Sequence, residues 1–361
     1  MTQRILILTD PYGKPSFAPR LRYLCDYLVR KGYEIEVITE EFEPIPFAHP
    51  YPIETIRLYR GKADWVMKSL LSLLFDWKNR TFSRRVRQLT KNKRYDLVYC
   101  TTFSTFPLRA AAEVAREKQI PLHVDIRDLD EQVPGAQYQH HRGWWTRPFR
   151  TWYRAVNIRR RNRILRIADS ISTISPWHVD FIRRLNPNVE LVWNGYDPRR
   201  FYREDIQTDA FVIGYFGKTY PFQHPEIVEQ IVREIPEVKL QFVSGLPNEQ
   251  VADEIRRCSI LLVLTNPTAH GMMTTKFYEA FGCEKPILCV PSDEGLLAQV
   301  IREKNAGLAS GDKEEIQAFI QEKYAEWKQN GFTHQAVRDK EVFSRETEAE
   351  QMEKILRQHM Q

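Results

Sequence analysis

This 361-residue sequence contains no C-x-x-C pair, no glycine-rich nucleotide loop and no apolar run of bilayer length. Each absence removes a class of function. The five cysteines, Cys25, Cys100, Cys258, Cys283 and Cys289, are odd in number, and three of them stand in or beside apolar, strand-like runs. They read as buried reduced thiols of a reducing compartment, not as a disulfide framework. Without G-x-G-x-x-G a dinucleotide-cofactor enzyme is disfavoured, and G-x-x-x-x-G-K-[ST] is missing too. The apolar stretch near 69–75 falls far below the ~20 residues that cross a bilayer, and Ile5–Leu8 is too short for a signal-peptide core. A soluble or peripheral cytoplasmic protein is expected.

What is present is size and alternation. The chain exceeds the length at which one hydrophobic core stops growing, so two domains are expected. With 42% apolar and 28% charged residues the balance is globular, which excludes wholesale disorder. Short apolar runs (4–9, 33–39, 97–100, 122–126, 170–174, 189–193) alternate with helical patterns such as 18–31 and 108–117. After the turn-rich Asn194-Gly-Tyr-Asp-Pro198 the alternation restarts with strands at 211–216, 239–243, 260–264 and 286–290. Strands separated by helices imply parallel sheets with right-handed crossovers. The expected fold is α/β: two facing Rossmann-like doubly wound domains, 1–204 and 205–344, with a cleft between them, and a final helix over 345–361.

Three strand-to-helix turns carry candidate chemistry. In Asp10-Pro-Tyr-Gly-Lys-Pro-Ser-Phe-Ala-Pro-Arg20, Gly13 would let the backbone approach a ligand. In Tyr215-Phe-Gly-Lys-Thr219, Gly217 beside Lys218 is a candidate pyrophosphate grip. In His270-Gly-Met-Met-Thr-Thr-Lys-Phe-Tyr-Glu-Ala-Phe-Gly282, a helix start with Thr274, Thr275 and Lys276 can bind phosphate. Glu279, one turn in, can accept hydrogen bonds from a ribose diol.

That third segment resembles the donor signature of the family 4 retaining glycosyltransferases of the GT-B fold. Gly32-Tyr-Glu-Ile-Glu-Val-Ile-Thr39, Asp125-Ile-Arg-Asp128, Ala168–Ser175, Trp193–Asp197 and the helix after Phe343-Ser344 are similar to other parts of that family, in the same order. The resemblance implies transfer of a sugar, with retention, from a UDP- or GDP-sugar to a glycan or lipid-linked acceptor in surface-glycan synthesis. It implies Glu279 on the ribose, Gly13, Gly217, Gly271, Thr274 and Thr275 around the donor, and Lys218 on the departing phosphates. It places Arg127 or Asp128 near the acceptor or the transferred sugar, and it implies no cofactor and no obligatory metal. No Asp-x-Asp pair sits in a convincing metal loop. Many relatives carry a first glutamate where this chain has Gly271. That departure leaves open a non-catalytic nucleotide-sugar or glycan-binding protein, and an epimerase of the same architecture is the other rival.

The net charge of +6 is clustered. Arg142–Arg166 holds nine arginines and no acid, interleaved with Trp144, Trp145, Phe149, Trp152 and Tyr153, and Trp65–Thr90 mixes Leu and Trp with basic residues. Such segments suit an anionic membrane surface, on the inner face of the cytoplasmic membrane. Nucleic acid is not an expected partner, since it would leave the paired α/β halves unexplained.

Overall fold

The computed structural model describes residues 2–12, 18–42, 44–45, 47–103, 105–132, 147–219, 223, 225–265 and 270–360. They divide into two compact units. One runs through Trp193 and takes in the chain from Ala349; the other holds Asn194–Glu348 together with Gln132.

Among the described residues the first unit carries a seven-stranded sheet. Its strands are β1 (Arg4–Thr9), β2 (Glu34–Glu40), β3 (Ile53–Ile56), β4 (Leu97–Thr102), β5 (Leu122–Ile126), β6 (Ser170–Thr173) and β7 (Val189–Leu191). All pairings are parallel, in the order β3-β2-β1-β4-β5-β6-β7. The helices are α1 (Ala18–Arg30), α2 (Lys62–Phe75), α3 (Trp77–Thr90), α4 (Leu108–Lys118), α5 (Arg147–Leu165) and α6 (Pro176–Arg183).

Burial on both faces explains why the central strands read as unbroken apolar runs. Leu6 and Leu8 of β1 join the core formed with Phe82, Val86, Leu108 and Ala111. The alternate residues Ile5 and Ile7 join the opposite core, with Leu24 and Leu28 of α1. Met352, Ile355 and Leu356 of the last helix belong to that second core.

The second unit has five parallel strands among the described residues, in the order β12-β11-β10-β8-β9. They are β8 (Phe211–Phe216), β9 (Val238–Val243), β10 (Ile260–Leu264), β11 (Ile287–Val290) and β12 (Gly307–Ala309). The helices are α7 (Glu226–Arg233), α8 (Asn248–Arg257), α9 (Thr275–Gly282), α10 (Leu296–Glu303) and α11 (Lys313–Asn330). The last helix, α12 (Arg345–His359), starts in this unit and belongs to the first from Ala349 onward.

The division falls before Asn194, where the sequence reading set it at 205. The cause is a backbone clasp: the Tyr196 N–H donates to the Phe343 carbonyl at 3.0 Å and the Arg345 N–H to the Tyr196 carbonyl at 2.9 Å. A Cβ at Gly195 would lie 2.7 Å from the Phe343 oxygen, so only glycine lets the segments approach. Two short strands, β3 and β12, are additions to the expected pattern.

One ion pair is central to the first unit. Arg20 of α1 donates to both Asp125 oxygens at 3.2 and 3.0 Å and to the Val192 carbonyl at 3.4 Å. The hydroxyls of Thr101 and Ser172 donate to the same carboxylate at 2.8 and 2.9 Å. Burial pushes the Asp125 pKa up, but Arg20, Arg127 and the two hydroxyls outweigh it, so the net shift is downward. Its contribution to stability is therefore complete above the unfolded value of about 3.9 and is lost as pH falls through the lower folded value. Replacing one partner strands a buried charge. Arg20→Met is expected to destabilise the first unit by about 3–5 kcal/mol in urea or thermal unfolding.

Candidate functional site

In open parallel sheets ligands bind at the carboxyl ends of strands, where the strand order reverses. In the second sheet that point lies between β8 and β10. Phe216 ends β8, and Gly217 follows with φ +145°, its N–H donating to the Val243 carbonyl at 2.8 Å. A cavity of about 190 Å³ opens here, lined by Gly217, Val243, Leu246, Val251, Lys276 and Glu279 among others. One wall is aliphatic and the other charged.

The charged wall belongs to α9. Thr274 is its N-cap, the hydroxyl accepting from the Phe277 N–H at 3.3 Å, so this side chain serves the helix. Thr275 opens the helix and lines the cavity. Phe277, Tyr278, Ala280 and Phe281 bury the other faces, which leaves Lys276 and Glu279 toward the cavity. Lys276 Nζ sits 4.9 Å over the Tyr215 ring, and a Cβ on Gly217 would come within 3.0 Å of it. Burial pulls the Lys276 pKa down against the attraction of Glu279.

Among the described residues the Glu279 carboxylate makes no hydrogen bond and no ion pair. Burial raises its pKa, opposed in turn by Arg345, Lys276 and Arg200. Arg345 is buried with Nε unpartnered, and burial lowers its own pKa. A partly desolvated acceptor ringed by cations yet engaged by none is suited to receive hydrogen bonds from a ligand.

The first sheet reverses between β1 and β4. There Asp10 Oδ2 accepts the Phe103 N–H at 2.9 Å, and burial raises the Asp10 pKa against that bond and the charge of Arg127. Arg127 follows β5, is 5% exposed and stacks on the Phe103 ring at 3.9 Å. Its Nε and Nη2 have no hydrogen-bond partner. Asp128 keeps solvent contact at its surface, yet the surrounding protein desolvates it enough to lift its pKa to about 6, against Arg127 and with Asp10 and Asp130 adding to the rise.

The structure thus sorts the sequence candidates. Gly217, Thr275 and Glu279 line one cavity, with Thr274 capping beside it. Lys218 is exposed and does not line that cavity; Lys276 does. Gly271 adopts φ +56°, a left-handed turn conformation that a glutamate would enter only with strain. Arg127 and Asp128 are neighbours in the first unit, while Asp125 of the same motif is consumed by Arg20. Gly13 lies outside the described residues. Asp10, Arg200 and Arg345 carried no local signal that would have singled them out.

The basic segments also resolve into parts. Residues 142–146 lie outside the description. On α5, Arg161 is buried and donates to both Glu131 oxygens at 2.9 and 2.7 Å, and Arg160 pairs with Asp76 at 3.0 Å. Trp152, Arg159, Arg163 and Arg166 form one exposed stripe at helical spacing. On α2, Trp65, Val66, Met67 and Phe75 are all more than half exposed. Among the described residues no helix is long and apolar enough to cross a membrane, and no group of three or more His, Cys, Asp or Glu is placed to hold a metal ion.

Comparison with known proteins places these features in context. Residues 17–195 match the model of the glycosyl transferase 4-like domain. No curated protein sequence matches the chain. Among solved structures it is similar to a sucrose-phosphate synthase from Thermosynechococcus elongatus, with 17% identity, TM-score 0.70 and 99% of each chain covered. It is also similar to HepE from Anabaena in complex with UDP-glucose, with 15% identity, TM-score 0.65, and 98% of this chain and 99% of that one covered. A glycosyltransferase from Rickettsia africae gives 9% identity and TM-score 0.61 over 100% and 99% of the two chains. At these identities the likeness establishes the fold, two parallel-sheet domains of the GT-B kind.

The close approach of Lys276 to Gly217 is testable. Gly217→Ala combines a φ reserved for glycine with a displaced lysine, so about 1–3 kcal/mol of stability should be lost. A lowered melting temperature of the purified protein would show it.

Proposed function

The chain belongs to the glycosyltransferases that carry a glycosyl transferase 4-like domain, and from that premise we propose that it moves a sugar, with retention, from a nucleoside-diphosphate sugar to a glycan or lipid-linked acceptor. The observation that carries this reading is the Glu279 carboxylate, which lines a cavity beside Lys276 and Gly217 and has no hydrogen bond of its own. A ribose diol would donate to it, and the aliphatic wall of Val243, Leu246 and Val251 suits the flat nucleobase. The diphosphate then meets the Gly217 turn and the start of α9, where Lys276 and the amide of Thr275 face it.

In the transfer step the bond from the anomeric carbon to the phosphate oxygen breaks, and the acceptor oxygen bonds to the same face of that carbon. The acceptor proton leaves with the departing diphosphate. Charge grows on that diphosphate as the bond breaks, so the largest contribution of the protein is the fixed positive field of Lys276, Arg345 and the helix start. Arg127 and Asp128 in the first unit are assigned to the acceptor: Arg127 has free N–H groups to donate, and Asp128 accepts from the incoming hydroxyl as its carboxylate. The same chemistry asks for no redox cofactor. UDP is the favoured nucleotide, in line with the UDP-glucose held by HepE.

The membrane reading stands beside this one. The exposed apolar residues of α2 and the Trp152–Arg166 stripe of α5 suit peripheral contact with an anionic bilayer, which would bring a lipid-linked acceptor of surface-glycan assembly to the first unit.

Calorimetry with a panel of UDP- and GDP-sugars tests the donor site. Tight binding of one donor should weaken about tenfold or more in Glu279→Gln, the loss of about 1.5–3 kcal/mol for hydrogen bonds to a charged group. If no sugar nucleotide binds, the transferase reading fails; if one binds but no acceptor is ever glycosylated, the chain is a binding protein.

The role of Asp128 gives a pH signature. With its pKa near 6, the carboxylate needed by the acceptor is lost as pH falls through that value. The transfer rate should therefore drop on an acid limb centred near 6, and Asp128→Asn should be slow with that limb gone. An unchanged limb in the variant would move the titration to another group.

A further inference from the structure

A second cavity, of about 340 Å³, lies wholly within the first unit and takes no part in the chemistry above. It is a groove between facing stripes of two helices. From α4 come Leu108, Arg109, Ala112, Glu113 and Arg116; from the α5 side come Arg160, Arg163, Ile164 and Ile167. Both sets recur at three- and four-residue intervals, so each is one helix face. The α4 set spans about 12 Å of helix at 1.5 Å per residue. At one end the groove is closed by the α2–α3 elbow, where Asp76 stands in the left-handed conformation (φ 57°) and binds Arg109 at 3.2 Å and Arg160 at 3.0 Å.

The other arginines are in a different state. Arg109 is held by Asp76 and Glu113, and Arg160 by Asp76. Arg116 and Arg163 are exposed and have no carboxylate partner among the described residues. The same lining has an aliphatic part: Leu108, Ala112, Ile164 and Ile167, the last 63% exposed. A bare phosphate would leave that wall unused, and a neutral apolar ligand would leave two guanidinium groups unused. A phosphodiester with an apolar tail uses both.

We propose that this groove seats the headgroup of a single acidic phospholipid presented by a bilayer, with Arg116 and Arg163 on its phosphate and its chains leaving along Ile164 and Ile167. The proposal rests on the membrane contact inferred above and not on the transfer chemistry. It adds a discrete lipid site to a diffuse surface: the Trp152–Arg166 stripe of α5 supplies Arg163 to the groove, so the stripe and the groove meet the bilayer together. The volume admits a headgroup and the start of the chains, not a whole acyl chain.

The test is co-sedimentation of the full chain with vesicles of phosphatidylcholine alone or with a third of phosphatidylglycerol. Wild type should prefer the acidic vesicles. Arg116→Glu/Arg163→Glu should lose that binding by about tenfold or more. Arg84→Glu/Arg85→Glu, an exposed pair on α3 outside the groove with the same change of net charge, should lose less than about threefold. Ile167→Ser, at unchanged charge, should weaken acidic-vesicle binding severalfold. Equal loss in the two charge-reversal variants overturns the proposal in favour of undirected attraction, and so does equal binding of wild type to both vesicle types. Displacement from acidic vesicles by millimolar inorganic phosphate, at matched ionic strength, would make the groove a free-phosphate site and also overturns it. Donor calorimetry on the groove variant should match wild type, which shows that the protein is folded and keeps this outcome separate from that of the donor site.

Discussion

Asp125 is a carboxylate with almost no access to water, and the architecture of the first unit follows from keeping it charged. Its partners come from α1, β4 and β6, and Arg20 extends the network to the carbonyl of Val192. Satisfying one anion therefore aligns three adjacent strands, one helix and the strand exit that leads to the second unit. A register slip in any of these strands would leave a bare buried charge, a penalty larger than that of most packing errors. The same alignment sets the end of β5 beside β4, one strand from the point where the strand order reverses, and the buried Arg127 and the exposed Asp128 follow it there. In this unit the structural ion pair and the candidate site are consecutive residues of one strand end.

The contrast between Asp125 and Glu279 separates structure from function more sharply than burial does. Both are acids in desolvated surroundings near arginine. Asp125 accepts four hydrogen bonds from three side-chain donor atoms and has its pKa lowered; Glu279 accepts from none among the described residues and has its pKa raised. A protein that needed Glu279 only for stability would have closed an ion pair with Lys276 or Arg345, each able to offset the desolvation. Leaving the acceptor open costs stability and is retained only where an outside donor completes it. Arg127 shows the complementary form, a buried donor with two nitrogens unmet.

The alternation of strands and helices was legible because parallel strands buried on both faces read as apolar runs, and all the runs inferred along the chain lie in one or other sheet. β3 and β12 were not: β3 is a four-residue edge strand with two exposed positions, β12 a three-residue edge strand, Gly-Leu-Ala, and segments so short carry little apolar signal. Glu279, Gly217 and Thr275 were readable from their places around a strand-to-helix turn, and the cavity joins them. The choice between Lys218 and Lys276 was not readable. It depends on Gly217 at φ +145° turning the chain so that Lys218 points to solvent while Lys276 reaches back over Tyr215. The unit boundary was misplaced for a similar reason: the clasp of Tyr196 with Phe343 and Arg345 joins segments far apart in sequence, and no local pattern announces it.

The arginines of α5 show how far composition alone can carry an argument about surfaces. In sequence they belong to one basic segment that contains no acid. In the fold, even adjacent arginines meet different fates, because a helix turns each by about 100° from the last. Arg161 faces inward and is spent on Glu131, Arg160 is spent on Asp76, and Arg159, Arg163 and Arg166 remain outside with Trp152. The cationic surface available to a membrane is therefore narrower than the composition implies, and its character changes with that narrowing. A broad basic patch attracts any anionic surface in proportion to charge, whereas a stripe that delivers one arginine into an apolar groove distinguishes a lipid from a mere field of charge.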